Sequence, residues 1–334
     1  MSIQITQSDL KQTHDRIFFI VGTSRSGSTL LQSMLSSHQD IVIPPETHFF
    51  HHAADLEQKY LSSENRQAFK ERLFDFWYDQ KTRLRDLGLD KKEAIRWSKE
   101  LTLTSPADLF NLQLTMYRKE RNKSIVGEKT PRHILQVPGI LKAYPNAKII
   151  SMFRDPRATA WSEIKAQFGS PSVYVTTRRW REYVEMHQQL QNELPEDQYM
   201  MLRYQDLIED AEGMLNRICD FLRVDFQQQM LEFYNRDEKG FAEGEKSWKK
   251  GTLKPIQKNR NDDWKSALEP WQIALVEKIA GSRLQEMGYE KSEYSLSFSK
   301  NLFYQCLDFS RSIWATITGA REEGYAYPDE SKFE

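Results

Sequence analysis

The sequence predicts an α/β protein with a central parallel sheet of the phosphate-binding-loop type, flanked by helices. Three observations favour this fold class. Short runs of apolar, often β-branched residues recur along the chain, and each is followed by a turn and a helical apolar pattern. The first run ends in a loop of small residues that opens a helix. The length of 334 residues suffices for one large α/β core or two smaller ones.

Composition argues against several function classes. The net charge of −1 provides no overall field that would favour nucleic acid or an anionic membrane as the main partner. The two cysteines, Cys219 and Cys306, are too few for a disulfide framework, which suits a reducing compartment. The N-terminus lacks the layout of a secretion signal, and no apolar stretch reaches the ~20 residues of a membrane span. We therefore expect a cytoplasmic protein without a transmembrane segment.

The stretch RIFFIVGTSRSGSTLL, residues 16–31, predicts a strand, a loop and a helix in that order. Such a loop directs backbone N–H groups toward an anion at the helix N-terminus. Gly22 and Gly27 have the spacing of a nucleotide-triphosphate loop. However, Ser28 stands where that motif requires lysine, and Arg25 supplies a cation instead. This favours a donor with a shorter 5′ chain, and a plain strand-to-helix turn is the alternative.

A second apolar run, at 41–43, predicts a strand that ends at two prolines and is followed by ETHFFHH. Residues that follow the carboxyl end of a strand are where α/β folds place their chemistry. Three interpretations stay open. Glu46 could be a general base for an acceptor hydroxyl. The imidazoles of His48, His51 and His52 could share a helical face and bind a metal with Glu46. The group could also be a solvated helix start with Glu46 near the helix dipole.

Residues 61–120 predict a helical insert between early strands. Their apolar residues recur at helical spacing, and Ser105-Pro106 has the pattern of a cap followed by a first-turn proline. Most of the aromatic side chains are expected in the core, although the insert could also wall an acceptor cleft.

The next apolar run, at 124–127, predicts a short strand that leads to Lys129. A lysine at the end of a strand is unusual, and an exposed turn lysine is the alternative. Glu128 and Arg132 are expected to hold this turn.

The run at 148–153 predicts another strand, which ends at Arg154. Asp155 is a favourable N-cap, and the proline after it is a favourable first helical residue. The arginine can bind a phosphate as a two-donor fork. A salt-bridged Arg–Asp pair at the helix start is the alternative.

The last part of the chain predicts a helix over 174–194, a strand over 199–203 that ends at Tyr204, and a closing helix over 270–287. Tyr204 could simply cover the sheet. Between these elements, residues 246–260 hold six basic residues and no acidic one. A solvated loop is one interpretation of this run, and nucleic-acid binding is disfavoured because aromatic residues are not interleaved.

The loop TSRSGSTLL resembles the 5′-phosphosulfate loop of the sulfotransferases that use 3′-phosphoadenosine 5′-phosphosulfate (PAPS). RDPRATAWS resembles that family's 3′-phosphate element, in which an arginine and a serine eight positions later hold the nucleotide. The resemblance covers roughly residues 16–289. It implies the family's α/β fold and transfer of a sulfuryl group from PAPS, as co-substrate, to an acceptor hydroxyl or amine without a metal.

The resemblance also implies roles for single residues. PPETHFF matches the position where tyrosylprotein sulfotransferases and related bacterial enzymes carry a catalytic glutamate, so Glu46 is the implied base. His48 is a second candidate because other sulfotransferases use histidine. A similar Glu-Lys-x-Pro element implies that Lys129 reaches the reacting centre, where Arg25 would also stabilise charge. The implied donor-binding residues are Arg25, Ser26, Gly27, Ser28, Thr29, Arg154, Ser162, Tyr204 and, in the basic loop, Lys254 with Lys250 and Gly251 behind it.

The basic loop departs from the family pattern. Asp263 stands where the family has a lysine just before the tryptophan at Trp264, and Trp248 stands where it has a serine. Which side chains of this loop contact the donor therefore stays open.

The expected organisation is a polar N-terminal segment at 1–15, a sulfotransferase domain at 16–289, and a C-terminal helix and polar tail at 290–334. That helix could pack on the domain, form a homodimer contact or rest on a membrane surface. The acceptor could be a small molecule, a lipid, a glycan or a peptide. Two rival functions remain: a small-molecule kinase, disfavoured by the missing lysine and metal-binding aspartate, and a non-catalytic nucleotide-binding module.

Overall fold

The computed structural model describes residues 3–80, 82–166, 170–235, 254–257 and 262–297, and nine residues between 299 and 313. Among these residues, five strands form one parallel sheet. The sheet and its flanking helices confirm the predicted fold class. The strands are β1 (Phe18–Gly22), β2 (Ile41–Val42), β3 (Ile125–Lys129), β4 (Lys148–Phe153) and β5 (Tyr199–Arg203), and their order across the sheet is β2-β3-β1-β4-β5.

The helices of the described residues cover both faces of the sheet. They are α1 (Gln7–Arg16), α2 (Ser28–Leu35), α3 (Ala53–Ser62), α4 (Arg66–Asp79), α5 (Lys91–Glu100), α6 (Pro106–Glu120), α7 (Val137–Ala143), α8 (Pro156–Lys165), α9 (Val173–Glu193), α10 (Tyr204–Glu209), α11 (Ala211–Leu222), α12 (Trp264–Ala267), α13 (Pro270–Ala280) and α14 (Arg283–Glu286). Short 3-10 turns connect several of them, including Phe49–His51 and Pro131–Gln136.

The position of β1 in the middle of the sheet explains why its sequence is uniformly apolar. It is buried along its whole length and pairs with β3 on one side and β4 on the other. Successive side chains point to opposite faces. Phe19 and Val21 accordingly belong to one buried cluster, and Phe18 and Ile20 to another. A parallel sheet with helices on both faces requires this pattern.

Gly22 allows β1 to end directly against β4. Its φ is +124°, and a Cβ atom built there would lie 2.0 Å from the carbonyl oxygen of Met152. The next residue, Thr23, donates its backbone N–H to that same oxygen at 3.0 Å. No side chain fits at this position, so the loop after β1 begins with a fixed backbone.

The N-terminal segment is more ordered than its polar composition suggests. Helix α1 begins at a capping box between Thr6 and Asp9, and it packs against α6. Leu10 and Thr13 are buried, and Arg118 of α6 donates to the Thr13 hydroxyl at 3.1 Å. This helix was missed at the sequence level because most of its remaining side chains face solvent.

The predicted closing helix over 270–287 is wrong in one respect. It is divided into α13 and α14 at Gly281, whose φ of +61° ends the first helix. Beyond it, the ring of Tyr304 stacks on Trp271 with centroids 4.6 Å apart, while Leu302 and Phe303 are exposed. No helix within the described ranges combines the length and apolarity that a membrane crossing requires. The three-part division of the chain stays a prediction.

Candidate active site

The predicted site residues lie along one edge of the sheet because all five strands are parallel and each is followed by one of them. In strand order, the edge carries Glu46 after β2, Lys129 at the end of β3, the loop after β1, Arg154 after β4, and Tyr204 after β5. The carboxyl ends of parallel strands meet at one edge, where α/β folds bind their ligands. The loop after β1 therefore lies between a Glu–Lys pair and an Arg–Tyr pair.

The loop after β1 has the backbone of an anion site. Arg25 and Gly27 have φ values of +63° and +87°, and the Ser26 hydroxyl donates to the Thr23 carbonyl at 2.6 Å. Ser28 and Thr29 form the first turn of α2. At its N-terminal residue Gly27, no described side chain caps the helix. The first N–H groups of a helix lack intrahelical partners and carry partial positive charge, so they favour a bound anion.

Tyr204 packs its ring onto the loop. A Cβ atom added to Gly27 would lie 2.3 Å from Cδ2 of Tyr204, so only glycine allows this approach. The same ring also contacts Arg154, whose guanidinium carbon lies over it at 4.5 Å from the ring centroid. Tyr204 thus holds Arg154 beside the loop, in a cation–π contact.

Arg25 joins the loop to helix α8. Its Nε donates to the hydroxyl of Ser162 at 3.0 Å. Burial lowers the pKa of Arg154, and the like charge of Arg25 acts in the same direction. The bond between Arg25 and Ser162 joins two residues that were predicted as parts of separate anion sites.

The start of α8 is held by a buried ion cluster. Asp155 caps the helix by accepting from the backbone N–H of Arg157 at 2.8 Å, and it accepts from that guanidinium at 2.7 and 3.0 Å. The same guanidinium donates to Glu277 of α13 at 2.6 Å. The predicted cap is confirmed, but the arginine that pairs with it is Arg157. Arg154 is held differently, since its carbonyl accepts from the indole N–H of Trp180 at 2.9 Å.

At the other end of the edge, Glu46 and Lys129 form an ion pair. The Lys129 side chain is fully buried, whereas Glu46 is 19% exposed, and Nζ of the lysine donates to Oε1 of the glutamate. Oε2 of Glu46 lies 3.3 Å from Nε2 of His48. The loop after β2, which carries Glu46, is supported by α2. The side-chain amide of Gln32 in that helix donates to the carbonyl of Pro44 in the loop at 2.9 Å.

This geometry decides against two of the three interpretations of ETHFFHH. His48 has a φ of +54° and precedes a 3-10 turn, and α3 begins only at Ala53, so the imidazoles do not share a helical face. In the part of the chain that the structure describes, no group of three or more His, Cys, Asp and Glu residues could hold a metal ion. Glu46 is paired with a buried lysine, which rules out a solvated helix start.

A buried polar cluster that sequence reasoning did not assemble lies behind this pair. Glu128 is fully buried and accepts from the hydroxyls of Thr47 and Thr130 at 2.8 and 2.6 Å. Its other oxygen lies 3.1 Å from Nδ1 of His133. Burial raises the pKa of Glu128, but His133 and the two hydroxyls bring it below its usual value. The sequence signal was weak, since Thr47 and Glu128 are 81 positions apart.

Of the three residues predicted in the basic loop, the structure describes Lys254. Lys250 and Gly251 lie outside the described residues. Lys254 is exposed, and its contact with a donor stays a prediction. Among the described residues, Arg25, Arg154 and Lys129 supply cations at the same edge of the sheet as the N-terminus of α2. This donor set suits a polyanionic ligand.

Comparison with known proteins gives a consistent result. A model described as "Sulfotransferase family" matches residues 18–228. A protein-tyrosine sulfotransferase of Drosophila melanogaster is 28% identical over 229 residues, which are 66% of this chain and 41% of that protein. A putative protein-tyrosine sulfotransferase of Caenorhabditis briggsae is 22% identical over 307 residues, covering 88% of this chain and 98% of that protein.

Solved structures show the same fold. The sulfotransferase domain of the Synechococcus PCC 7002 olefin synthase superposes with a TM-score of 0.58 at 21% identity, covering 84% of this chain and 97% of that domain. The sulfotransferase domain from the curacin biosynthetic pathway gives a TM-score of 0.56 at 21% identity, covering 83% of this chain and 98% of that domain.

Proposed function

The chain belongs to the PAPS-dependent sulfotransferase family, and from this premise we propose that it moves the sulfuryl group of PAPS to an acceptor hydroxyl with Glu46 as the general base. The observation that carries the proposal is the ion pair between Glu46 and the buried Lys129, beside the phosphate-binding loop. A carboxylate held next to a cation stays ionised and can accept a proton, while the cation remains at the reacting centre.

The order of residues along the edge supports one orientation of the donor. The loop after β1 lies in the middle, with Arg154 and Tyr204 on one side and Glu46 and Lys129 on the other. A nucleotide whose 3′-phosphate binds Arg154 and Ser162, and whose 5′ end binds the loop, directs that end toward the Glu–Lys pair. PAPS supplies the sulfuryl group, and adenosine 3′,5′-bisphosphate (PAP) is the leaving product.

Each residue of the pair has a defined task in this transfer. Glu46 accepts the acceptor's hydroxyl proton while the hydroxyl oxygen forms its bond to sulfur and the bond from sulfur to the 5′-phosphate oxygen breaks. Lys129, Arg25 and the loop N–H groups offset the charge that passes to the phosphate. In other enzymes a positioned base is worth ~10²–10⁴ in rate, and one fixed donor ~2.7–4 kcal/mol. Most of the catalysis is therefore positioning and electrostatics.

In this proposal, His48 positions the general base Glu46 and is not itself the base. Its Nε2 lies 3.3 Å from Glu46, so it can hold the carboxylate oxygen that Lys129 does not contact. The backbone at His48 is left-handed, with a φ of +54°. Histidine is among the residues that adopt this conformation more readily than most.

A tyrosine hydroxyl in a peptide is the acceptor that we propose to test first. Its support is the similarity to the Drosophila protein-tyrosine sulfotransferase and to the putative protein-tyrosine sulfotransferase of Caenorhabditis briggsae. The match to the Drosophila relative spans only 41% of that protein's length. Small-molecule alcohols and phenols, and amines, therefore belong in the same assay.

The test is transfer of label from ³⁵S-PAPS to tyrosine-containing peptides, phenols, alcohols and amines, with the formation of PAP measured in parallel. We expect labelled product and an equal amount of PAP for at least one hydroxyl acceptor, without added metal. Magnesium and ATP are assayed with the same acceptors. Turnover of ATP would establish the kinase alternative, and tight binding of PAP without transfer to any acceptor would establish a non-catalytic binding module.

A further inference from the structure

Two adjacent residues of β3 bind two adjacent residues of the loop after β2. Glu128 and Lys129 point to opposite sides of the strand. Lys129 pairs with Glu46, and Glu128 accepts from both the hydroxyl and the backbone N–H of Thr47, at 2.8 and 3.4 Å. Side chains on both faces of β3 therefore bind the loop after β2. Only the contact of Lys129 with Glu46 belongs to the chemistry proposed above.

The contacts of Glu128 extend along the loop. The Thr130 hydroxyl donates to Glu128 and accepts from the backbone N–H of His48, at 3.4 Å. Nε2 of His133 accepts from the backbone N–H of Phe50 at 3.3 Å, so the proton of this imidazole lies on Nδ1 and is donated to Glu128. Residues 47–50 therefore bind, directly or through one side chain, to a single carboxylate.

A carboxylate at this place is costly without such partners. Glu128 and His133 are both fully buried, and burying an isolated charge costs several kcal/mol even after relaxation. Four donors face the two oxygens of Glu128 and offset that cost. An uncharged residue would avoid this cost altogether. Charge-assisted hydrogen bonds are shorter and roughly twice as strong as neutral ones, which makes a carboxylate an effective anchor for backbone that must not move.

We propose that Glu128 is a positioning residue for sulfuryl transfer: it fixes residues 47–50, so that Glu46 stays paired with Lys129 and next to His48. This inference rests on the function proposed above. Glu128 itself lies behind the reacting centre and has no contact with Glu46 among the described hydrogen bonds, so its effect passes through the backbone of Thr47 and His48.

The test compares Glu128→Gln and Thr47→Val with Thr115→Val as the matched control. The Thr115 side chain is also buried, and its hydroxyl contacts the Asn111 carbonyl within α6 and the Thr13 hydroxyl of α1, far from the loop after β2. For each protein we measure kcat with PAPS, the Kd of PAP, the melting temperature and amide hydrogen exchange over residues 44–52.

In Glu128→Gln we expect kcat to fall roughly 10- to 100-fold, because small displacements of reacting groups cost that much. The Kd of PAP should stay within about twofold, and amide exchange at 44–52 should rise about tenfold while exchange in α6 stays unchanged. Thr47→Val should also lower kcat and raise amide exchange at 44–52. Thr115→Val should change neither kcat nor this exchange. Unchanged exchange at 44–52, unchanged kcat, or equal losses of kcat and PAP binding would overturn the positioning role. Absence of transfer by the unsubstituted protein would count against the proposed function alone, because the exchange measurement still decides whether Glu128 orders this loop.

Discussion

The Nε of Arg25 donates to the hydroxyl of Ser162 at 3.0 Å, although the two residues are 137 positions apart in the chain. This contact places the loop after β1 against the helix that follows β4. In the function proposed above, neighbouring parts of one cationic site bind the two ends of the donor, and substitutions at either end can be tested with nucleotides that differ by one phosphate.

Arg154→Lys tests the assignment of the 3′-phosphate. A lysine keeps the charge but loses the two-donor fork, so the Kd of PAP should rise about tenfold, by calorimetry. The Kd of adenosine 5′-phosphate, which lacks the 3′-phosphate, should change by less than about twofold. Arg217→Lys, at an exposed position of α11, is the control. Equal weakening of both nucleotides would mean that Arg154 acts only through its contact with Tyr204.

Gly27→Ala tests the approach of Tyr204 to the loop. The added methyl group would overlap the tyrosine ring at a backbone angle of +87°, so we expect the free energy of unfolding to fall by roughly 1–3 kcal/mol. PAP should also bind more weakly, because the loop backbone must move. In the control Gly139→Ala, the new Cβ atom meets nothing within 4 Å inside a helix. That variant should be at least as stable as the unsubstituted protein. The prediction fails if urea denaturation gives the same stability for both variants.

Much of the fold could be predicted because strand signals are local. Two strands, 148–153 and 199–203, have the predicted bounds. That Glu46, Lys129, Arg154 and Tyr204 lie at one edge of the sheet could be predicted for a related reason, because each lies at or just after the end of a strand and parallel strands bring their carboxyl ends together. Strand order is not a local property, however. Arg25 contacts Ser162 because β1 and β4 are neighbours in the sheet. No pattern in either segment predicts that these two strands pair.

The errors have equally specific causes. The polar helix α1 is stabilised by its burial against α6, which lies about a hundred residues further along the chain. The sequence predicts one helix over 270–287 that includes Gly281. The positive φ that ends the helix at Gly281 depends on the chain that follows, so the local pattern does not predict it. Glu128 was expected only to hold its turn, since its partner Thr47 lies in another loop.

Arg157→Met tests the ion cluster at the start of α8. The substitution leaves the carboxylates of Asp155 and Glu277 buried without their shared cation, so it should cost ~3–5 kcal/mol of unfolding free energy. Arg283→Met removes an ion pair with the exposed Glu286 on α14 and should leave the unfolding free energy nearly unchanged. Equal effects of the two substitutions in urea denaturation would contradict this account of α8.

His187 should make the protein less stable in mild acid. Burial lowers its pKa from 6.5 to about 4. Between those two values the unfolded chain binds a proton that the folded protein does not, so stability falls as the pH falls through this window. From pH 7 to pH 5 the loss from this one group should be about 2 kcal/mol. We expect His187→Gln to lose less stability than the unsubstituted protein over that range, by denaturation at each pH. Parallel pH dependences would show that other groups dominate.

The central claim is that Glu46 removes the acceptor's proton, and kcat of Glu46→Gln tests it most directly. The substitution keeps the size of the side chain and removes its basicity, and Glu64→Gln, at an exposed position, is the control. At saturating PAPS and with the best hydroxyl acceptor, we predict a fall in kcat of ~10²–10⁴ for Glu46→Gln. The Kd of PAP should stay within about twofold, and the control should keep full activity. A Glu46→Gln protein that transfers sulfuryl groups at the full rate would contradict the account.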